Sequence, residues 1–350
     1  MSRGFTIIEI LISISIFVVS ATIMMGALFG ATEVFRRGEA SRQAGDEATA
    51  VIAALQEDLS RVVPVRLRDG RPAPEWGRIF AEAVPPTGNC LFSIVIENPD
   101  RSQVRWVDVN NDGQNDTVVG VRQRVDWFVV AGADPSADAL VRKVWDLGDD
   151  GSVIDADPTP SKNDPDYATD DALSPGAVYN PRARDVVTRG CLHFGVWIEL
   201  AQAHRKVTGT SGPQFGWEAS TILPYVAPVM AIDTGQTVTG VTTFYPQPDA
   251  LRISLVLTGG GRFATRGTLV RDMNNSESTA RISGIKALPT TSGSLLRIEN
   301  EWVRYDDFRS GQITIRSDGR GALRSAAAAH TGRVTVLAGQ PFSLVVALPR

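Results

Sequence analysis

The pattern of apolar and polar positions divides the chain into a long uncharged run, an amphipathic continuation and a succession of short alternating segments. From Ile10 to Thr32 no residue carries a charge, a stretch of 23 positions. As a helix rising about 1.5 Å per residue it can cross a hydrocarbon layer of about 30 Å. A surface this apolar inserts in lipid or packs against like helices. After it, Ala48, Val51, Ile52, Leu55, Leu59 and Val62 recur at three- and four-residue steps, which predicts an apolar stripe along one helix face. Gln43, Asp46, Glu47, Glu57, Asp58 and Arg61 are assigned to the other face. Pro64 lacks an N–H and clashes with the preceding turn, so one helix is expected from Phe5 to about Val63, its second half packed on a sheet. Gly26, Gly30, Gly38 and Gly45 mark places where it can bend.

Beyond the helix the period shortens. Residues 65–89, with Pro72, Pro74, Pro85, Pro86 and Gly88, read as a loop. Strands are expected at Leu91–Ile96, Gln103–Val109, Thr117–Val121, Val125–Val130 and Leu140–Trp145, with Trp106, Trp127 and Trp145 as core aromatics. Between Trp145 and Leu173 stand nine Asp and three Pro, a composition that cannot form a core. A strand is expected across 185–200, and the alternation at Leu251, Ile253, Leu255 and Leu257 predicts a half-buried one. Later, Leu295–Tyr305, Gln312–Arg316 and Arg333–Leu337 read as short strands around Gly/Asp turns, and Pro341–Pro349 as a final strand.

The chain has 350 residues, 43% hydrophobic and 21% charged, ordinary values for a folded protein. A net charge of −4 argues against a nucleic-acid-binding surface. Cys90 and Cys191 are the only cysteines. They either form one bridge, in an oxidising compartment, or are two unrelated buried thiols. Asp108, Asn110, Asp112 and Asp116, around Gly113, place oxygens as the first half of a calcium loop does. Position 12 of that loop is Val119 rather than Glu, and the same residues also make good hairpin turns. Calcium is the one cofactor the sequence suggests. No GxSxG, Walker A, HExxH or dinucleotide fingerprint occurs, and His193, His204 and His330 lie far apart. Cys191 and His193 are expected on the same face of one strand, where a thiol is ordinarily inert. The chain reads as a non-enzyme.

The uncharged run is too long for a secretory signal core, and its basic flank is Arg3 alone. A plain signal anchor accounts for its length but not for Glu9, a carboxylate that costs about 2.5–3.5 kcal/mol in a membrane helix and needs a partner. Cleavage after Gly4 would supply one, because the new amino group of Phe5 lies four residues before Glu9.

Gly4-Phe5-Thr6-Ile7-Ile8-Glu9 followed by the apolar run resembles the class III leader of type IV pilins and type II secretion pseudopilins. That resemblance implies a prepilin peptidase that cuts after Gly4 and methylates Phe5. It also implies a Glu9 that neutralises a neighbouring subunit's terminus during assembly. Calcium sites occur in that family too. Leu140 to Trp145, Phe194 to Trp197, Gly216-Trp217 and Pro248-Asp249-Ala250-Leu251-Arg252-Ile253 follow the order of loose motifs in the J-type minor pseudopilin; the W-type minor pilin of type IV pili shares the N-terminus. The chain departs from the J pattern because the strand at Pro341 comes about 80 residues late. Leu296 to Tyr305, Gly319-Arg320-Gly321 and Ala326 to His330 resemble a small β module of phage structural proteins, which implies a shape and no activity.

The expected fold is therefore α+β, a long N-terminal helix on an antiparallel pilin-like sheet. Its parts are a leader (1–4), a transmembrane helix (5–32), an amphipathic continuation (33–63), a β domain (64–258 plus 341–350) and an inserted β module (259–340) that serves as a binding element or a spacer. The function expected from the resemblance is that of a processed minor pseudopilin, a tip or initiation subunit. The alternative is a W-type minor pilin with a ligand-binding domain. Either would sit in a bacterial inner membrane by a single pass, with the C-terminal domain in the periplasm. The implied partners are prepilin peptidase, other minor and major pseudopilins, the secretion platform and lipid, with no nucleic acid.

Overall fold

A computed structural model of the chain describes residues 7–62, 80–84, 88–98, 105–107, 117–119, 121–132, 138–147, 153–154, 185–199, 225–226, 250–259, 265–285, 288 and 292–348. It is an α+β protein with a long N-terminal helix and antiparallel sheets.

Helix α1 runs without interruption over Ile7–Ser60, 54 residues or about 80 Å. The glycines along it do not break it. It stops at Ser60, and Val62 then pairs with Ile96 as an isolated bridge, so the chain leaves the helix directly onto a sheet.

The strands that follow are β1 (Phe80–Val84), β2 (Asn89–Glu97), β3 (Arg105–Val107), β4 (Thr117–Val119), β5 (Arg122–Val130), β6 (Ala139–Leu147), β7 (Val153–Ile154), β8 (Val186–Arg189), β9 (Cys191–Glu199), β10 (Tyr225–Val226) and β11 (Ala250–Leu257). After these come β12 (Thr265–Leu269), β13 (Thr279–Ser283), β14 (Ser294–Ile298), β15 (Glu301–Arg309), β16 (Gln312–Ile315), β17 (Thr335–Ala338) and β18 (Gln340–Ala347). Among the described residues they form a seven-stranded sheet in the order β10-β1-β2-β5-β6-β7 with β8 also on β6, a three-stranded sheet β18-β11-β9, a small β3-β4 ladder, and a closed barrel β12-β13-β16-β15-β14-β17.

One core joins α1 to both larger sheets. Ala44, Ala48, Val51, Leu55 and Leu59 of the helix meet Phe92 and Ile94 of β2, Trp127 of β5, Phe194 of β9 and Leu251, Ile253 and Leu255 of β11. Each strand offers alternate residues to this core, as a pleated strand with one covered face must. The barrel has its own core, including Leu296, Val303, Tyr305, Ile313 and Val336. A third cluster, with Leu192, Val256, Trp302, Ala322 and Leu337, seals the barrel to the three-stranded sheet.

The structure departs from the sequence reading in several places. Residues 80–84 form β1, a strand between β10 and β2, where a proline-rich loop was expected. Within the stretch expected as one strand, Val186–Arg189 and Cys191–Glu199 form two strands in different sheets. Gly190, at φ 76°, turns the chain between them, and the Gly190 and Cys191 N–H groups both donate to the Asp138 carbonyl. Leu295–Tyr305 is a hairpin, not one strand. Its turn is Glu299-Asn300, with Glu299 at φ 51°, and Arg297 pairs with Trp302 across it. Asp58 is buried rather than on the solvent face. It lies three residues after Leu55 and four before Val62, which at 100° per residue puts it within the apolar stripe.

Strands β11 and β18 pair antiparallel from Ala250↔Ala347 to Leu257↔Gln340, and the barrel lies between them in the chain. Its first and last strands are neighbours, Thr265 opposite Ala338, so the chain leaves and rejoins the hairpin at one point.

Candidate functional site

The feature that most demands a function is the free half of α1. Its large apolar side chains stand exposed from Ile7 to Phe35, among them Phe17 at 72%, Met24 at 72% and Phe29 at 66%. A contiguous apolar surface of this extent marks an interaction or membrane-inserting element. Three of the hydroxyls within it are turned back onto the helix. Ser15 donates to the Leu11 carbonyl, Thr22 to Val18 and Thr32 to Leu28, so these O–H groups need no water. The helix is long and apolar enough to cross a membrane.

Contact with the body begins where charge returns. Gly259 abuts the Ala40 carbonyl so closely that a Cβ there would collide with it, and Ser41 Oγ donates to Gln340 Oε1 at 3.0 Å. Glu39, Arg42 and Asp46 form exposed ion pairs at this boundary, and Gln43 donates to Glu47. Roughly 50 Å of helix therefore projects beyond the docked half.

A buried charge cluster fixes the docked half. Asp58, 1% exposed, accepts two hydrogen bonds from Arg142, at 2.6 and 2.9 Å, and a third from Trp127 Nε1 at 2.9 Å. The paired carboxylate holds the Arg142 pKa above its ordinary value, against the cost of burial. On the opposite face of the same two strands, β5 and β6, the same three residue types recur. Asp126 is also 1% exposed and accepts from Arg124 and, at 2.7 Å, from Trp145 Nε1, while Lys143 Nζ stands 3.5 Å over the Trp145 ring.

The residues singled out in the sequence are placed as follows. Gly4 and Phe5 lie outside the described residues. Glu9 lies in α1, and its side chain is outside them. Asp108, Asn110, Asp112, Asp116 and His204 are likewise outside the described residues, among which no cluster suited to a metal occurs. Cys90 and Cys191 are free thiols in the same core, so no bridge joins them. Each donates to a nearby carbonyl, Cys90 to Leu91 and Cys191 to His193. A hydrogen-bonded, fully buried thiol is satisfied as it stands, and burial pushes the Cys191 pKa well up.

Cys191 and His193 do not share a face. A bulge at Leu192 lets Leu257 pair with Cys191 and Val256 with His193, so the alternation slips by one. Cys191 enters the main core, and His193 points to the barrel contact against Trp302, at 5.8 Å between ring centroids, and Trp197, at 6.1 Å. His193 is fully buried, and among the described residues neither ring nitrogen has a partner. Burial first, and then the positive Arg297 and Arg324, push its pKa down to about 3. Because the folded value lies below the unfolded one near 6.5, folding stability is retained above that pH and lost as pH falls from there toward 3. Acid titration of unfolding free energy should show this loss in the full-length protein, and the His193→Phe variant should show a shallower one. Equal slopes in the two proteins would contradict the assignment.

The sequence reading missed a second polar centre, in the barrel. Glu301, fully buried, accepts from Arg320 Nε and Nη2 at 2.6 and 2.8 Å and from the N–H groups of Gly321 and Ala328 at 3.0 Å. His330 lies between Glu301 and Glu299, its ring nitrogens at 2.8 and 2.7 Å from the two carboxylates. Burial alone would raise the Glu301 pKa, but the four donor groups hold it down to about 2; the two carboxylates raise that of His330 against burial. Every group of this centre is turned on another of the same fold. It fastens the long irregular segment after β16 to the barrel wall.

Comparison with family models, with curated proteins and with solved structures finds no match to this chain.

Proposed function

We propose that the chain is a membrane-anchored filament subunit of the pilin type, a minor pseudopilin that serves at the tip or start of a type II secretion pseudopilus. The observation that carries this reading is the exposed, uncharged half of α1 on a body that holds the other half by buried charge. The Gly4-Phe5 leader and Glu9 agree with it in sequence.

In this reading prepilin peptidase removes residues 1–4 and methylates Phe5. The apolar half of α1 rests in the inner membrane, with the sheets and barrel in the periplasm. Assembly withdraws it from lipid into a bundle of like helices, where Glu9 meets the amino terminus of a neighbour. That contact relieves the cost of a carboxylate in an apolar setting. The Asp58 cluster keeps the projecting half in line with the docked half, so a force on the helix is borne by the sheets. A large body suits a subunit present in few copies at an end.

The barrel, closed and with its own core, favours a second reading, a W-type minor pilin that presents the barrel to an external ligand. The two readings share the same N-terminal chemistry.

Intact mass and N-terminal sequencing of membrane-extracted protein, with and without prepilin peptidase, test the proposal. The expected result is a chain beginning at N-methylated Phe5 only when the peptidase is present. An intact Met1 in both preparations, or a cut near residue 32, would overturn it.

A further inference from the structure

The two outer strands of the three-stranded sheet are treated differently. On β9 the backbone is already engaged by side chains. Arg297 Nη1 donates to the Leu192 carbonyl at 3.1 Å, Arg324 Nη1 to the Val196 carbonyl at 3.1 Å, and the Phe194 N–H donates to Asn89 Oδ1 at 3.1 Å. Such capping is how folded proteins blunt a sheet edge.

Strand β18 has none of this among the described residues. Gln340-Pro341-Phe342-Ser343-Leu344-Val345-Val346-Ala347 contains no charged residue and, among the described residues, pairs with β11 alone. No bulge interrupts its eight-position register. Its outward residues Ser343, Val345 and Ala347 are exposed, Val345 at 56%. On the other side Phe342 and Val346 pack on the main core yet stay only half-buried, and among the described residues no strand lies beyond this edge. From Phe342 to Ala347 this is an uncharged edge without a bulge, a template for another strand, while Pro341 at its start has no N–H to offer.

We propose that β18 is a docking edge for an extended strand of a different membrane-anchored protein, which continues the three-stranded sheet beside α1. A second copy of this chain does not fit. Antiparallel pairing of β18 with itself requires a two-fold axis normal to the sheet. Helix α1 lies along the sheet, so that axis would point the partner's apolar half the opposite way, out of the shared membrane. The other edges of a copy fit no better. Its β9 is capped, and among the described residues the outer strands of its seven-stranded sheet, β10, β7 and β8, have two, two and four residues against eight in β18. The position fits a neighbour whose helix runs parallel to α1, since Gln340 at the start of β18 touches Ser41 where the helix emerges. The orientation argument rests on the anchored reading above.

The test places a photo-crosslinking amino acid at Val345, and separately at Ile14, in the full-length chain in its native membrane, with cross-linked peptides identified by mass spectrometry. The expected Val345 product joins an extended segment of another protein that carries its own N-terminal apolar helix. Carried by Ser343 as the cross-linking position instead, the product should fall at least tenfold with Val345→Glu and persist with Val345→Thr. The glutamate would face Arg252 across β11, so the fold tolerates it. Products at Ile14 without any at Val345 would overturn the edge proposal and leave the helix reading standing. Products at neither position would remove both. A Val345 product with another copy of this chain, or within residues 200–249 of the same chain, would overturn the edge proposal. So would equal yields from the Glu and Thr variants.

Discussion

Replacing Asp58 with alanine is expected to cost about 3–5 kcal/mol of folding stability, the range for removing one member of a buried ion pair. The physical reason is what the substitution leaves behind. Arg142 loses both carboxylate contacts, and with about 30% of its side chain exposed it can recover only part of its hydration. Trp127, fully buried, keeps an Nε1–H with nothing to receive it. The loss should register where α1 meets the sheets. Hydrogen exchange of full-length protein in detergent should speed up over residues 44–60 and in β5 and β6, with little change in the barrel. The double variant Asp58→Leu with Arg142→Met should recover much of the loss, because it removes both charges together. A single variant as stable as the parent would show that the helix is held by its apolar stripe alone.

Glu301→Ala should act on the other half of the molecule with comparable size, about 3–5 kcal/mol. It takes the shared acceptor from Arg320, His330 and two backbone N–H groups and leaves a buried void, although His330 keeps Glu299 and Arg320 keeps the Asn274 and Ala328 carbonyls. Hydrogen exchange should rise in β14 to β17 and in the segment 316–332, with little change at residues 44–60. The pH dependence separates the two partners. The Glu301 contribution is full above the ordinary carboxylate range and is lost as pH falls toward about 2. The His330 contribution is present below the ordinary histidine value and is lost as pH rises through its raised one. His330→Gln should therefore remove the alkaline part of the loss and keep the acid part. Identical profiles in the variant and the parent would show that the histidine charge plays no part.

The helix was legible because its signals are local. A run without charge and a stripe of period 3.6 need no knowledge of the rest of the chain, and Ala48, Val51, Leu55 and Leu59 are buried where the stripe puts them. Asp58 shows where reading by residue type fails. It was assigned to the polar face by its chemistry, while its spacing from Leu55 and Val62 already placed it on the apolar one. Its partners, Arg142 and Trp127, lie some 70 to 84 residues away in sequence, so nothing local could name them. The split at Gly190 and the hairpin at Glu299-Asn300 were missed because each sits inside a run of good strand formers. One glycine and one polar dipeptide decided between one strand and two. The bulge at Leu192, which parts Cys191 from His193, is set by pairing with β11 and has no sequence mark of its own. The Glu301 centre gathers residues from three stretches, and only its acids and bases, without their convergence, are visible in the sequence.

The hairpin of β11 and β18 also bears on how the chain is made. Strand β18 follows the barrel, so during synthesis it emerges only after every barrel strand, while its partner β11 precedes them all. Until then Phe342 and Val346 are missing from the core that seats the helix. The barrel closes on contacts internal to it and brings its two ends together at Thr265 and Ala338. It thus shortens the search that β18 must make for β11, a loop closure that would otherwise carry a large entropy cost. A slow-closing barrel would leave this hairpin open and the core around α1 incomplete, which makes the barrel a timer for the seating of the helix.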